Sequence, residues 1–358
     1  MPPGPTDLNA DRPPGVRRAF ESPAGWDPAL WRTLARAGAL DVRPFAVVAA
    51  VAEELGSALA CVPYLSTVVL AATALVLAGD AEAAAEHLPG IASGSVVATL
   101  AVTEEGVRWE EADVRTLARP DPDVPDRCLL DGHKSYVVDG GAADLILVVA
   151  RDAGLRGPNA VAGLGLFAVA GDAPGLSRTP LIALDLTRPL ARLDLAGVPA
   201  RRVGAEGDGW RVVERVLDRA AVALAAEAVG GAQRCLDMAV AHARGRVQFG
   251  RPIGSFQAVQ HKLADVLVGV EAARSVVAAA VAAVDEDRGD LPLLASTARG
   301  YCAEAFVRAA SESIQVHGGV GFTWAHDAHL YLKRARSAAL LLGDPAWHRE
   351  RVARHLGL

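Results

Sequence analysis

The chain has 358 residues, a formal net charge of −6 at pH 7 and 22% charged residues. This composition is that of a globular protein, and it provides no basic surface for nucleic acid. Hydrophobic residues make up 51% and aromatic residues only 5%, which with abundant alanine is typical of closely packed helices. The cysteines are scattered and form no CxxC pair, so we expect a reduced cytoplasmic protein: Cys61, Cys128, Cys235 and Cys302.

The N-terminal part predicts a lead-in followed by a helical domain. Prolines such as Pro2, Pro3 and Pro13 block a helix, so residues 1–22 are predicted to be a flexible lead-in without a signal peptide. Residues 23–94 are predicted to form an N-terminal helical domain, with helices beginning near residue 28 and covering 44–59, 64–78 and 81–88. The apolar run 62–78 is too short to span a bilayer comfortably, and we expect a buried helix and no membrane association.

The period of the sequence changes at about residue 95. Short β-branched or alternating runs cover 96–102, 127–130, 135–138, 145–150, 165–170 and 191–195, with turn signals such as Asp131-Gly132 between them. Residues 95–205 are therefore predicted to form a small antiparallel β-domain. Residues 206–358 return to helical patterns at 210–243, 256–286, 291–317 and 326–342, followed by a short tail, which predicts a four-helix-type bundle. The fold class is α+β.

Two segments at the ends of long helical runs combine glycines with charged or amide donors. The first donor segment, residues 246–257, reads Arg-Val-Gln-Phe-Gly-Arg-Pro-Ile-Gly-Ser-Phe-Gln. The second donor segment, residues 315–324, reads Gln-Val-His-Gly-Gly-Val-Gly-Phe-Thr-Trp. Such segments bring backbone and side-chain donors close to a phosphorylated cofactor. A plain helix end, turn and helix start explains part of the first segment but not its Arg246, Gln248 and Gln257.

Together the two segments resemble the C-terminal helical domain of the acyl-CoA dehydrogenase family, which are FAD-dependent flavoenzymes that dehydrogenate acyl-CoA thioesters at the α and β carbons. The order of helices, β-domain and bundle resembles the same family. The resemblance implies that donors from this bundle reach the diphosphate and adenosine end of a FAD bound to a neighbouring subunit, in a dimer or tetramer. The residues carried over are Arg246, Gln248, Phe249, Gln257, Gln315, Gly318 and Gly319.

The β-domain departs from the family pattern. Members that bind flavin fully have a Thr-Glu-Pro segment followed by Gly-Ser-Asp, whereas residues 103–110 here read Thr-Glu-Glu-Gly-Val-Arg-Trp-Glu. The later family strand has a Lys, an aromatic residue and then a Ser or Thr hydroxyl. Here Lys134 and Tyr136 are present, and Tyr136 could stack on a ring system. Val138 stands where the hydroxyl would be and cannot donate a hydrogen bond.

The family's catalytic carboxylate is also absent from its two usual positions. Ala220 occupies one position and Gly343 the other, although α-proton removal needs a placed base. The nearby acids are Asp218, Glu227 and Asp344, and the last two are the candidates for a displaced base. Glu227 is the lone charge between residues 220 and 231, which predicts an inward-facing carboxylate that is either a base or a structural hydrogen-bond partner. Asp344 before Pro345 is also typical of a helix cap.

Three further features of the sequence concern its histidines, two arginines and an early connection. No cysteine and no carboxylate motif beyond Asp327 accompanies His317, His326 and His329 in the sequence, so we expect no metal site. Arg334 and Arg336 are expected to be surface charges. The early connection 40–44 is shorter than the family loop that lines the acyl pocket.

Three hypotheses follow. The first is a subunit that acts with a homologous, base-bearing partner, with an acyl-CoA substrate and a separate electron acceptor; bacterial relatives that act on steroid or other bulky acyl-CoAs form such pairs. The second is a self-sufficient homo-oligomeric dehydrogenase with Glu227 or Asp344 as base. The third is a non-catalytic scaffold or ligand-binding homologue.

Overall fold

The structure, a computed structural model, describes residues 22, 25–106, 109–153 and 163–358. The predicted lead-in 1–22 therefore falls outside it except for Ser22. Contacts between Cα atoms divide the chain into two compact units. The sheet unit comprises Pro28–Pro44 and Val62–Ala220, and the bundle unit comprises, among the described residues, Phe45–Cys61 and Ala221–Leu358 together with the residues preceding Pro28.

The predicted N-terminal helices are present. They are α1 (Pro28–Arg36), α2 (Phe45–Ser57), a π-helix (Leu65–Ala72) continued by α3 (Thr73–Ala78), and α4 (Ala81–Ala92). Every residue of the π-helix is buried, as the apolar run predicts. The expectation that the last helix ends at Pro89 is wrong. It continues to Ala92 because Ile91 is buried and the Ser93 and Ser95 hydroxyls donate to the carbonyl of Gly90.

Seven strands form one sheet in the sheet unit. They are β1 (Ala98–Ala101), β2 (Leu117–Pro120), β3 (Arg127–Val138), β4 (Leu145–Asp152), β5 (Leu164–Ala170), β6 (Leu176–Pro180) and β7 (Leu190–Val203). The order is β1-β4-β2-β3-β7-β5, β6 also pairs with β7, and a β4–β5 pairing closes the sheet on itself. The sheet is mixed and not antiparallel throughout, since β4 runs parallel to β1 and β2. Its inner face is apolar, with Leu130, Ile146 and Phe167 fully buried.

Two predicted strands are one long strand. Residues 127–130 and 135–138 both belong to β3, so the turn expected at Asp131-Gly132 is wrong. The β3–β7 register shifts there instead, and a second shift lies between Lys134 and Val137. Gly132 has a φ of 144° and no Cβ to collide with the backbone of Thr116, so glycine permits the irregularity without ending the strand.

The bundle unit contains the long helices of the C-terminal region. They are α5 (Gly209–Gly245, which begins in the sheet unit), α6 (Gln257–Asp285), α7 (Leu291–His317), α8 (Ala328–Ala338) and α9 (Pro345–His355). The helix predicted over 326–342 is shorter, and the predicted tail contains α9. The α9 signal is local: Asp344 accepts a hydrogen bond from the Trp347 amide, and Pro345 occupies the first turn.

Glycines allow α2 to approach α5 closely within the bundle unit. A Cβ at Gly56 would overlap the carbonyl oxygen of Glu227, and a Cβ at Gly230 would overlap that of Glu53. Arg274 of α6 pairs with the Glu53 side chain, and the Tyr331 hydroxyl of α8 donates to the Ser57 carbonyl at 2.6 Å. These contacts fix α2, α5 and α8 around the backbone of Glu227.

Helix α6 is apolar on much of its surface. Among the described helices it alone is long and apolar enough to cross a membrane by length and composition, with a mean hydropathy of 1.8 in its most apolar window. About a third of that window, 33%, is buried, through residues such as Val266, Val270 and Val277. Core helices of soluble proteins pass the same test.

Candidate functional site

The first donor segment begins with a tight hairpin after α5. Strands β8 (Val247–Gln248) and β9 (Arg251–Pro252) pair in register, Val247 with Pro252 and Gln248 with Arg251. Between them Phe249 and Gly250 have φ values of 53° and 78°, as in a two-residue turn of type I′. This geometry places Phe249 at the tip, where it is 93% exposed.

The donors of this segment face outward. Arg246, Gln248 and Gln257 are all exposed, and the Gln248 amide donates only to the carbonyl of its neighbour Val247, at 2.9 Å. The Phe256 ring supports the hairpin, with Phe249 edge-on to it at 6.2 Å and the Arg251 guanidinium 4.1 Å above it. A guanidinium, side-chain amides and an exposed ring are the groups that bind a diphosphate and stack on a base.

The second donor segment covers the end of α7 and the short 3-10 turn that follows. Gln315, Gly318 and Gly319 are exposed. Gly318 has a φ of 65°, and a Cβ at Gly318 or Gly319 would meet nothing within 4 Å. The missing side chains therefore leave the backbone open to close approach by a ligand.

One apolar cluster holds both donor segments together. Ala239 and Ala243 of α5 pack with Val316 of α7, and Ile253, Val259 and Leu263 pack against them. Ile253 also donates its amide to the Arg246 carbonyl at 2.8 Å. The structure thus brings Arg246, Gln248, Phe249, Gln257, Gln315, Gly318 and Gly319 to one region of the bundle unit.

Tyr136 lies in the other predicted half-site, in the sheet unit. It occupies the second irregularity of β3, with a φ of 57°, and its side chain is 42% exposed. A β-bulge re-aims side chains in this way and is frequent beside functional sites. The ring is therefore available for stacking.

Two threonine hydroxyls near Tyr136 donate hydrogen bonds within the protein. Thr103 donates to the Ser135 carbonyl at 2.6 Å, and Thr99 donates to the Val138 carbonyl at 2.7 Å. Val138 itself is buried. Position 138 has no hydroxyl to present to a flavin ring.

Lys134 and Glu104 form a buried ion pair beside this strand. Lys134 Nζ lies 2.7 Å from Glu104 Oε1 and donates to the Val102 carbonyl at 2.9 Å. Burial lowers the pKa of Lys134 to about 8, although Glu104 opposes the shift. Burial alone would raise the pKa of Glu104, but Lys134 and the Thr116 hydrogen bonds outweigh it, so the net shift is downward. Both residues hold the sheet rather than contact a ligand.

A cavity of about 620 Å³ adjoins residues 104–106, which belong to the segment that departs from the family's Thr-Glu-Pro and Gly-Ser-Asp pattern. That segment includes Val107 and Arg108, which lie outside the described residues. The cavity lining carries three carboxylates and two basic groups: Glu104, Glu105, Gly106, Asp113, Arg115, Thr116, Gly132 and His133. Carboxylates beside the opening disfavour a phosphate.

Neither family base position carries a carboxylate. Ala220 is fully buried. Gly343 has a φ of 95°, and a Cβ there would lie 2.5 Å from the Trp347 ring. Asp344 accepts the Trp347 amide hydrogen bond at 2.7 Å, so it caps α9.

Glu227 is buried, as its position on α5 predicts, and it is paired. Arg334 Nη1 donates to Glu227 Oε1 at 2.9 Å. The expectation that Arg334 is a surface charge is wrong, because its side chain is only 4% exposed. Leu330 and Ala338, four residues to either side of Arg334, are buried too. That spacing was the available signal for the inward face.

Sequence reasoning also missed a stack of imidazoles. The ring centroids of His242 and His317 are 4.5 Å apart, and those of His317 and His326 are 4.1 Å apart. His242 lies far from the other two in sequence, so no local pattern connects them. Over the described ranges, no group of three or more His, Cys, Asp or Glu side chains is arranged to hold a metal ion.

Known proteins resemble this chain over most of its length. The family model for the acyl-CoA dehydrogenase C-terminal domain matches residues 207–357. The acyl-CoA dehydrogenase IpdE2 of Mycobacterium tuberculosis is 36% identical over 93% of this chain and 88% of its own length.

Two solved structures share the fold. A variant described as the Tcur3481-Tcur3483 steroid ACAD matches with a TM-score of 0.84 and 32% identity, over 96% of this chain and 92% of that one. The ChsE4-ChsE5 complex of Mycobacterium tuberculosis matches with a TM-score of 0.82 and 29% identity, over 99% and 98%. The chain belongs to the acyl-CoA dehydrogenase family of FAD-dependent oxidoreductases.

Proposed function

We propose that this chain is one subunit of a hetero-oligomeric acyl-CoA dehydrogenase. Its bundle unit contributes the adenosine-side half of a FAD site to a homologous partner, and the partner supplies the catalytic base. The observation that carries the proposal is the contrast between the two half-sites: the donors of the bundle unit are exposed, whereas position 138 of the sheet unit is a buried valine and the nearby hydroxyls of Thr99 and Thr103 donate to protein carbonyls.

The donor segments fit the adenosine end of FAD by their chemistry. Arg246 supplies a charged fork for a diphosphate, and Gln248 and Gln315 supply amides. Phe249 offers a ring to an adenine, and Gly318 and Gly319 leave space for close backbone approach. The hairpin and the apolar cluster that both donor segments share keep these side chains at the protein surface.

The chain's own flavin-facing half does not fit. Val138 cannot donate to a flavin ring edge, and the hydroxyls of Thr99 and Thr103 donate to protein carbonyls. Tyr136, the cofactor contact that was predicted for the sheet unit, has an exposed side chain. A ring stacked on Tyr136 without polar partners would be held weakly, which supports a site that has lost its cofactor.

The base-lacking assignment is supported by all four positions considered. Ala220 has no acidic group, and Gly343 has no space for a side chain. Asp344 caps a helix, and Glu227 is engaged with Arg334. A general base must reach a substrate proton, and none of these residues is arranged to do so.

The similar structures named above support a two-component enzyme, because one is described as a complex of ChsE4 and ChsE5 and the other carries two protein names, Tcur3481 and Tcur3483. One of them is described as a steroid ACAD. Steroid-derived or other bulky acyl-CoA thioesters are therefore the first substrates to test.

In the proposed complex, bound FAD would accept the β-hydride of the acyl group, and a separate acceptor would later remove the electrons. Arg246 and Gln248 would neutralise and orient the diphosphate, and Phe249 would cover the adenine. The role of this chain is thus to bind and position the cofactor, while α-proton removal belongs to the partner.

The test is co-expression with a homologue from the same genome that carries the family's catalytic carboxylate. Purified complex should contain fewer FAD molecules than chains, and this chain alone should be colourless. One FAD in every chain of a purified homo-oligomer would overturn the proposal.

The self-sufficient alternative is tested in the same preparation. It requires turnover by this chain alone that falls in Glu227→Gln or Asp344→Asn. The scaffold alternative requires a partner whose FAD content is unchanged when Arg246 and Gln315 are replaced by alanine.

A further inference from the structure

The stack of His242, His317 and His326 connects the two donor segments directly. His242 lies in the last turn of α5, and its carbonyl accepts the amide of Arg246 at 2.8 Å. His317 is the last residue of α7, two residues after Gln315 and next to Gly318. His326 precedes α8. The three rings therefore join the ends of three elements at the root of both segments.

The hydrogen bonds of two rings define their protonation. His317 Nδ1 lies 2.7 Å from the Ser313 carbonyl oxygen, which only accepts, so this nitrogen carries a proton. His326 Nδ1 accepts the Ala328 amide at 3.1 Å, so this nitrogen carries none. His326 thereby caps the first residue of α8 in the manner of an Asx turn.

Uptake of a proton by His326 would break this arrangement. The new N–H on Nδ1 would point at the N–H of Ala328, so the hydrogen bond would be lost. A positive charge would also arise 4.1 Å, between centroids, from the buried ring of His317. Protonation is therefore incompatible with the stack as it stands.

The charged groups that lower the pKa values of His242 and His326 are cationic. Burial lowers the pKa of His242, with further contributions from His317 and Arg246. Burial also lowers the pKa of His326, with contributions from His317, His242 and Arg234. No carboxylate contributes to either shift. Arg234 of α5 and Arg246, which follows α5, are the charged groups that act on the rings.

We propose that the three stacked imidazoles are positioning residues that hold the two donor segments in place, and that protonation of His326 releases these segments. The inference rests on the proposed function where it concerns FAD, but the release of the segments is independent of the cofactor. An open form that binds one proton with the ordinary histidine pKa of 6.5 gains about tenfold in population between pH 7.5 and 5.5.

Hydrogen exchange of the complex, corrected for the intrinsic pH dependence, tests the release. Amides in residues 246–257 and 315–328 should exchange about tenfold faster at pH 5.5 than at pH 7.5. In His326→Asn, the Asn side chain can accept the Ala328 amide without titrating, so this acceleration should shrink. The matched control is His355→Asn, because His355 is an exposed histidine on α9. This variant should behave as the unsubstituted protein.

Equal corrected exchange at both pH values in the unsubstituted protein would overturn the inference. An undiminished acceleration in His326→Asn would overturn the role of the stack. FAD retained at pH 5.5 while the segments loosen would support the release and count against the placement of FAD on these segments, so the two proposals are tested separately.

Discussion

Arg334 Nη1 donates to Glu227 Oε1 at 2.9 Å, and both side chains are buried in the bundle unit. The pair joins α8 to the middle of α5, at the level where Gly56 of α2 lies against the Glu227 carbonyl. Glu227 therefore neutralises a buried guanidinium at a junction of three helices. This environment favours a structural role over that of a displaced base.

Removal of one partner should destabilise the chain. Glu227→Ala leaves Arg334 buried without its carboxylate, and the free energy of unfolding should fall by about 3–5 kcal/mol. The double variant Glu227→Leu/Arg334→Met should recover most of this loss, because no unpaired charge remains. Urea unfolding of the three proteins provides the measurement. Equal stability of Glu227→Ala and the unsubstituted chain would contradict the structural role.

Gly343 should resist replacement. Its φ of 95° disfavours any other residue, and an added Cβ would lie 2.5 Å from the Trp347 ring. We expect Gly343→Ala to cost more than the roughly 1–2 kcal/mol of a left-handed alanine alone. Gly38→Ala is the control, because Gly38 has a φ of 70° and nothing within 4 Å of an added Cβ. Similar unfolding midpoints for both variants would remove the role of Trp347. Gly343→Glu should not increase dye reduction by this chain.

The Glu104–Lys134 pair predicts a specific acid sensitivity. The pKa of Glu104 in the folded chain lies below its ordinary value of 4.5, so the unfolded chain takes up the proton first as the pH falls. The resulting stability is complete above about pH 4.5 and is lost as the pH falls towards the folded pKa. Glu104→Gln should flatten the dependence of stability on pH between 5 and 3. The exposed Glu54→Gln should not, and an unchanged slope in Glu104→Gln would contradict the pairing.

The donors of the first segment should affect cofactor content without affecting stability. Arg246 and Gln248 are exposed, so Arg246→Ala and Gln248→Ala should change the free energy of unfolding by no more than about 0.5 kcal/mol. In the co-expressed complex, the same substitutions should lower the FAD retained after gel filtration. The control is Arg308→Ala, because Arg308 is an exposed arginine on α7 outside both donor segments. A complex that keeps its FAD in the Arg246→Ala variant would argue against this segment as a cofactor contact.

Long periodic segments of the fold could be predicted from the sequence. The bounds of α7 follow from the pattern itself, and the burial of the π-helix follows from its apolar run. Features set by tertiary contacts could not be predicted. Pro89 reads as a helix end, yet burial of Ile91 carries α4 beyond it, and Gly132 reads as a turn although β7 holds it within β3.

The candidate site divides in the same way, into features that local sequence indicates and features that depend on tertiary contacts. The donor segments are local, so glycines and donors at the ends of long helical runs indicate them in the sequence, and the resemblance to the family implies which of their residues contact FAD. Arg334 and His242 depend on partners distant in sequence: the local pattern places Arg334 on the surface and gives no sign of the stack that contains His242. Val138 and Gly343 were recognised as departures, but only the structure shows that neighbouring hydroxyls are engaged and that Trp347 occupies the space beside Gly343.

The most direct measurement is the number of FAD molecules per chain, from absorbance and protein mass, for this chain alone and for its complex with the homologous partner. The account predicts no FAD in the isolated chain and fewer FAD molecules than chains in the complex, with the amount falling in Arg246→Ala. One FAD for every chain of the isolated protein would contradict it.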